Sequence, residues 1–162
     1  MQVDVLISTF DRLDTLKATV QSLRASSYKD ISVFIAVDGN ESILHTIAKL
    51  PVCLIYNKNR KDFVMSMNTL LQYARDDAVF YASDDLIFEK DCIEKAVKML
   101  REKFPDTDGL IGIRQNIKKD FRTDVCSVLT LFTTQAISSS ADSHETSING
   151  AIVNRLLYII KG

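Results

Sequence analysis

Apolar positions along the chain fall alternately into short runs and helically spaced stripes. Val3 to Thr9 is an apolar run of strand length that turns polar from Ser8 onward. In "RLDTLKATVQSLRAS", Leu13, Leu16, Val20 and Leu23 recur at helical spacing with charges on the opposite side, which predicts an amphipathic helix. "DISVFIAVDG" is almost continuously apolar, as a strand covered on both faces should be. It ends on the turn signal Asp38-Gly39-Asn40. A short helix around Ser42 to Lys49, then Pro51 and a third strand, "VCLIYN", follow. The basic polar loop "NKNRKD" leads into a helix predicted over Phe63 to Arg75, and "AVFYAS" reads as the fourth strand. "EKDCIEKAVKMLREKF" aligns Ile93, Val97, Leu100 and Phe104 on one helical face. "GLIGIR" and "CSVLTLFT" read as later strands, and the closing segment predicts a last helix from Glu145, after a mobile serine-rich loop at Ser138 to Ser143.

Strands alternating with helices predict an α/β fold, with a mostly parallel sheet and helices on both faces. Ligands of such sheets sit outside the carboxyl ends of the strands. Here those ends carry Ser8-Thr9-Phe10-Asp11, Asp38-Gly39, Asn57 to Lys61, and Ser83-Asp84-Asp85. Hydroxyls, acids and bases thus converge on one edge of the predicted sheet. That convergence says more than any one of these short segments.

Composition narrows the classes. The 162 residues suit a single domain with a proper core, and 46% hydrophobic with 25% charged residues is ordinary for a soluble protein. Lys+Arg 20 against Asp+Glu 21 leaves a net charge of -1, so there is no basic field to favour nucleic acid. "MQVDVLISTFDRLD" is too short in its apolar run and too polar for a signal peptide or transmembrane anchor. Cys53, Cys92 and Cys126 form no CxxC pair, which argues against structural zinc or a disulfide framework. The expectation is a reduced, cytoplasmic protein. His45 has no evident role, and His144 reads as an exposed loop residue.

The acid pair Asp84-Asp85 is the sharpest chemical feature. Adjacent carboxylates repel and are costly to bury unless paired or metal-bound, so the pair is either a solvated turn or a divalent-cation site. Its setting points to the second. "VLISTFDRLDTLKATVQSL", "VFIAVDGNES" and "MNTLLQYARDDAVFYASDDLIFEKDCIEKAVKML" together resemble, in order and interval, the conserved segments of family-2 glycosyltransferases of the GT-A fold. The similarity covers residues 3 to 115.

That resemblance implies transfer of a sugar from a nucleotide diphosphate sugar, UDP being the commonest donor nucleotide, to a carbohydrate or other acceptor hydroxyl. It implies Mn²⁺ or Mg²⁺ as cofactor, a hard cation held by carboxylates that neutralises the diphosphate leaving group. By position, Asp85 would be the principal metal ligand, and Asp84 would contact ribose or a metal-bound water. Asp38 would bind the base, with Ser8 and Thr9 at the first-strand end beside it, and Lys61, with Arg60, would reach the base or diphosphate. Glu145 is the candidate base for an inverting displacement and Asp142 the next, although an acid at a helix start is also expected as a capping partner. Ala82 and Val37 stand where the family usually has the first aspartates of its two acidic motifs. Residues 1–115 would form the donor and metal part, and 116–162 a reduced acceptor part. That short second part leaves an alternative, a non-catalytic nucleotide-binding accessory protein on the same scaffold. A nucleotidyltransferase would need a glycine-rich triphosphate loop, which is not seen near the first strand.

Overall fold

The computed structural model describes residues 1–74 and 78–105, together with residues 110–113 and 129–133 as backbone. Four strands run parallel in the order β3 (Cys53–Asn57), β2 (Ile31–Asp38), β1 (Val3–Thr9), β4 (Ala78–Ala82). The helices α1 (Leu13–Arg24), α2 (Leu44–Ile47) and α3 (Asp62–Leu71) connect them, and α4 (Cys92–Lys103) follows β4. Two further strands, β5 (Leu110–Ile113) and β6 (Leu129–Thr133), complete a six-stranded sheet, with β6 inserted antiparallel between β4 and β5. The expected mostly parallel α/β sheet is therefore present, with one antiparallel strand in it.

Side-chain alternation along each strand builds two cores, one on each face of the sheet. Val3, Val5 and Ile7 of β1 join Val33, Ile35 and Val37 of β2 against α1 and α4, where Leu16, Val20, Leu23, Ile93, Val97 and Leu100 are buried. Leu6, Ala36 and Val79 point the other way and meet Met67 and Leu70 of α3. The stripes predicted for α1 and α4 are thus the buried faces, with Leu13 and Phe104 packed at their margins.

Boundaries shift where local bonds compete with the helix. Asp62 begins α3 with φ of 68°, and its carboxylate accepts from the N–H groups of Val64 and Met65, capping the first turn one residue earlier than predicted. The helix closes at Leu71 rather than Arg75, because Tyr73 and Ala74 both donate to the Leu70 carbonyl in a tightened last turn. α4 begins at Cys92, later than predicted, since Lys90 is held in the preceding turn by the N–H of Ser27 on its carbonyl at 2.7 Å. The serine-rich loop and the last helix expected from Glu145 lie outside the described residues.

Phe80 is fully buried at the middle of β4 and meets the Phe88 ring edge-on, with centroids 5.5 Å apart. We expect Phe80→Ala to cost about 3–5 kcal/mol in urea unfolding, through lost transfer energy and the cavity left behind. Ile87, 71% exposed on the neighbouring loop, is the comparison, and Ile87→Ala should stay within about 0.5 kcal/mol. Equal losses would show that the β4 face is not the core described.

Candidate functional site

Parallel pairing brings the carboxyl ends of β1 to β4 to one edge. Thr9 lies opposite Val37, Asp38 opposite Asn57, and Ile7 opposite Ala82. Alternation then sorts the polar residues at that edge by face. Ser8 follows Leu6 in phase, and Asp38 follows Ala36, so both lie on the α3 side of the sheet. Thr9 continues the opposite face, with the acid pair beyond β4.

On the α3 side, Asp38 is buried at 4% exposure. Its Oδ1 accepts from the main-chain N–H of Lys61 at 2.8 Å and from Asn57 Nδ2 at 3.4 Å. Asn57 Nδ2 also donates to Ser66 Oγ of α3 at 3.0 Å. The carboxylate is therefore a latch for the 58–61 loop, and the Lys61 side chain itself stays exposed. Two more ties draw the loops together. Asn40 Nδ2 donates to the Phe10 carbonyl at 2.8 Å, and the Arg60 guanidinium lies 4.1 Å above the centre of the Phe10 ring. Gly39, at φ of 82°, lets the Arg60 backbone approach, since a Cβ there would sit 3.0–3.1 Å from Arg60 atoms. Ser8 is half-buried at the end of this wall.

The acid pair forms the other half. Asp84 is buried, and Thr9 Oγ1 donates to its Oδ2 at 2.7 Å. Asp85 turns outward, and Ser83 Oγ donates to its Oδ1 at 2.7 Å. Arg12 Nη1 bridges the two, at 2.7 Å from Asp85 Oδ2 and 3.4 Å from Asp84 Oδ1. Each of the four carboxylate oxygens thus has a donor, which is how the fold tolerates two adjacent acids. The segment beyond is pinned in turn, because the Phe88 N–H donates to Ser22 Oγ of α1 at 3.0 Å. Burial pushes the Asp84 carboxyl above its ordinary value, with the Asp85 charge adding to the effect and the Thr9 hydroxyl and Arg12 opposing it.

The donor set suits a hard divalent cation. Asp85 offers carboxylate oxygens half in solvent, and its neighbours supply oxygen and hydroxyl rather than sulfur or imidazole. Among the described residues no group of three or more His, Cys, Asp or Glu could cage a metal by itself. A cation here would have to share its coordination with phosphate and water, which is the habit of Mg²⁺ sites. Glu145 and Asp142, the candidate bases, lie outside the described residues. The sequence placed Asn57 at this edge without giving it a role, and it did not mark Arg12 or Ser66 as members of the site. The one available signal for Arg12 was a lone cation just past the end of β1.

A family model described as Glycosyl transferase family 2 matches residues 4–142. Among solved structures, S. aureus TarS 1-349 is similar with a TM-score of 0.69 and 14% identity, over 99% of this chain and 55% of that one. The mannosyltransferase PcManGT from Pyrobaculum calidifontis, in complex with GDP-Man and Mn2+, is similar with a TM-score of 0.72 and 14% identity, over 98% of this chain and 51% of that one. TarS 1-349 in complex with UDP-GlcNAc gives a TM-score of 0.71 at 12% identity, over 98% and 54% of the two chains. At these identities the likeness is one of fold, and it is the α/β GT-A architecture expected from the sequence. The chain spans about half the length of these solved structures. No curated protein sequence matches it. Among the described residues no helix is long and apolar enough to cross a membrane.

The raised Asp84 carboxyl has a consequence for stability. The folded state keeps this proton to a higher pH than the unfolded chain does, so stability from this group falls as pH rises from 3.8 through the folded value. We expect Asp84→Asn to raise the Tm at neutral pH, with the gain over the parent shrinking as pH falls toward 3.8. Melting curves of both proteins across that range check it. A difference independent of pH, or a loss at neutral pH, would contradict the burial argument.

Proposed function

The chain belongs to glycosyl transferase family 2, and from that premise we propose that it transfers a sugar from a nucleotide diphosphate sugar to an acceptor hydroxyl. The observation that carries this reading is the division of the sheet edge into two adjoining polar walls. The wall of Ser8, Asp38 and the 58–61 loop is neutral to basic and carries an aromatic ring, Phe10. It suits a nucleoside, with Asp38 as acceptor for a base N–H and Lys61 or Arg60 toward the base or diphosphate. Asp85, on the acidic wall, would hold Mn²⁺ or Mg²⁺, and Asp84 with Thr9 would orient the ribose side of the same ligand. The cation, when bound, offsets charge growing on the diphosphate as the sugar departs.

The rest of the reaction falls to the chain's own side chains. Glu145, or failing it Asp142, would take the proton of the acceptor hydroxyl in a single inverting displacement. In this reading residues 1–115 hold the donor and 116–162 belong to the acceptor side of one domain. UDP is the first donor nucleotide to try and GDP the second, because the similar structures were solved with UDP-GlcNAc and GDP-Man.

Titration calorimetry with UDP and then GDP, each with Mn²⁺, tests the donor half. Asp85→Asn should lower the metal-dependent affinity by at least about 100-fold, beyond the usual effect of a residue that merely supports a metal ligand. Parent and variant binding alike would remove Asp85 from the metal. For the acceptor half, Glu145→Gln should cut turnover roughly 10²–10⁴-fold with nucleotide affinity unchanged. If Glu145 is only a helix-start acid, the same variant instead loses about 0.3–1 kcal/mol of stability at nearly full rate.

A further inference from the structure

Among the described residues Arg12 is the cation bonded to both acids of the pair, and it occupies the Asp85 oxygen that Ser83 leaves open to a divalent cation. Its guanidinium cannot lose its proton, so it never leaves the site by neutralisation. It can only move. The side chain is 56% exposed just before α1, a position from which it can swing without disturbing the core. A cation entering against a fixed guanidinium would meet a positive charge within a few ångströms, and Asp84, largely buried, cannot rotate outward to compensate.

We propose that Arg12 is the resident counter-ion of the acid pair, which a divalent cation must displace, and that the displaced guanidinium is received by the diphosphate of the incoming nucleotide. The second clause rests on the function proposed above; the first does not. A guanidinium fork matches phosphate oxygens as well as it matches carboxylates. Metal and diphosphate therefore bind together. Metal alone must displace Arg12 into solvent with no anionic partner in return, while metal arriving with a diphosphate exchanges one anionic partner of Arg12 for another. Arg12 acts here as a positioning residue, coupling the binding of the metal to that of the diphosphate.

The test is Mn²⁺ binding to the full chain, followed by the loss of the free-ion paramagnetic resonance signal, without and with UDP. Arg12→Gln keeps a hydrogen-bond donor and removes the charge, Arg12→Met removes both, and Arg12→Lys keeps the charge. Without nucleotide, both neutral variants should bind Mn²⁺ about tenfold tighter than the parent, as expected for loss of one nearby, partly screened charge. Arg12→Lys should stay close to the parent. With UDP present, the parent should gain more in Mn²⁺ affinity than either neutral variant does. A purely structural clamp predicts the opposite without nucleotide, a Mn²⁺ affinity equal to or below that of the parent in both neutral variants, and that result overturns the proposal. If UDP changes Mn²⁺ affinity in none of the proteins, the nucleotide reading and the hand-over to diphosphate both fail, while displacement of Arg12 is still judged on Mn²⁺ alone.

Discussion

Parallel pairing about β1 is the constraint on which the rest of this structure depends. Because β2 and β4 flank β1 in the same direction, three strands end together, and β3 adds a fourth end beside β2. Ser8, Thr9, Asp38 and Asn57 are at the site because their strands run out of apolar residues at that edge. The two-residue period of the strands then decides which face each residue serves. Ser8 and Thr9 are adjacent in sequence yet serve different walls, one toward Asp38 and the other bonded to Asp84.

Electrostatics at the edge follows from burial. Asp38 and Asp84 are both nearly inaccessible, and each is kept in place by donors from elsewhere in the fold. Asp38 takes a main-chain N–H and so organises a loop. Asp84 takes a threonine hydroxyl and shares Arg12 with its neighbour, and so organises a charge cluster. Asp85 is the carboxylate left facing solvent, and Ser83 fixes one of its oxygens. The two buried acids tie the loops of the site together, and Asp85 is the acid of the three that opens to solvent.

Much of this could be read from the chain. Apolar runs located all four parallel strands, and the stripes on α1 and α4 named the buried faces, because period-two and helical patterns reflect the sheet and helix geometry directly. The grouping of Asp38, Asp84 and Asp85 at one edge followed from strand direction alone. What was not legible depends on contacts between distant segments. Arg12 meets the acids across 72 and 73 positions, and nothing local to "STFDRLD" announces that pairing. The inward turn of Asp38 toward the Lys61 N–H depends on the conformation of a polar loop. The place of β6 between β4 and β5 is likewise a matter of tertiary pairing, since its sequence fits an edge or a central strand equally well.

In the function proposed, one edge of the sheet holds a nucleoside beside Asp38 and a divalent cation at Asp85. Anomalous diffraction from crystals soaked in Mn²⁺ with UDP or GDP measures both at once. We expect a single manganese peak on an Asp85 carboxylate oxygen, at a distance between the roughly 2.0–2.1 Å of Mg²⁺ and the roughly 2.3–2.6 Å of Ca²⁺, with the base against the wall of Ser8, Phe10 and Asp38. A nucleotide bound with its base at the acid pair, or manganese ligated away from Asp85, would contradict it.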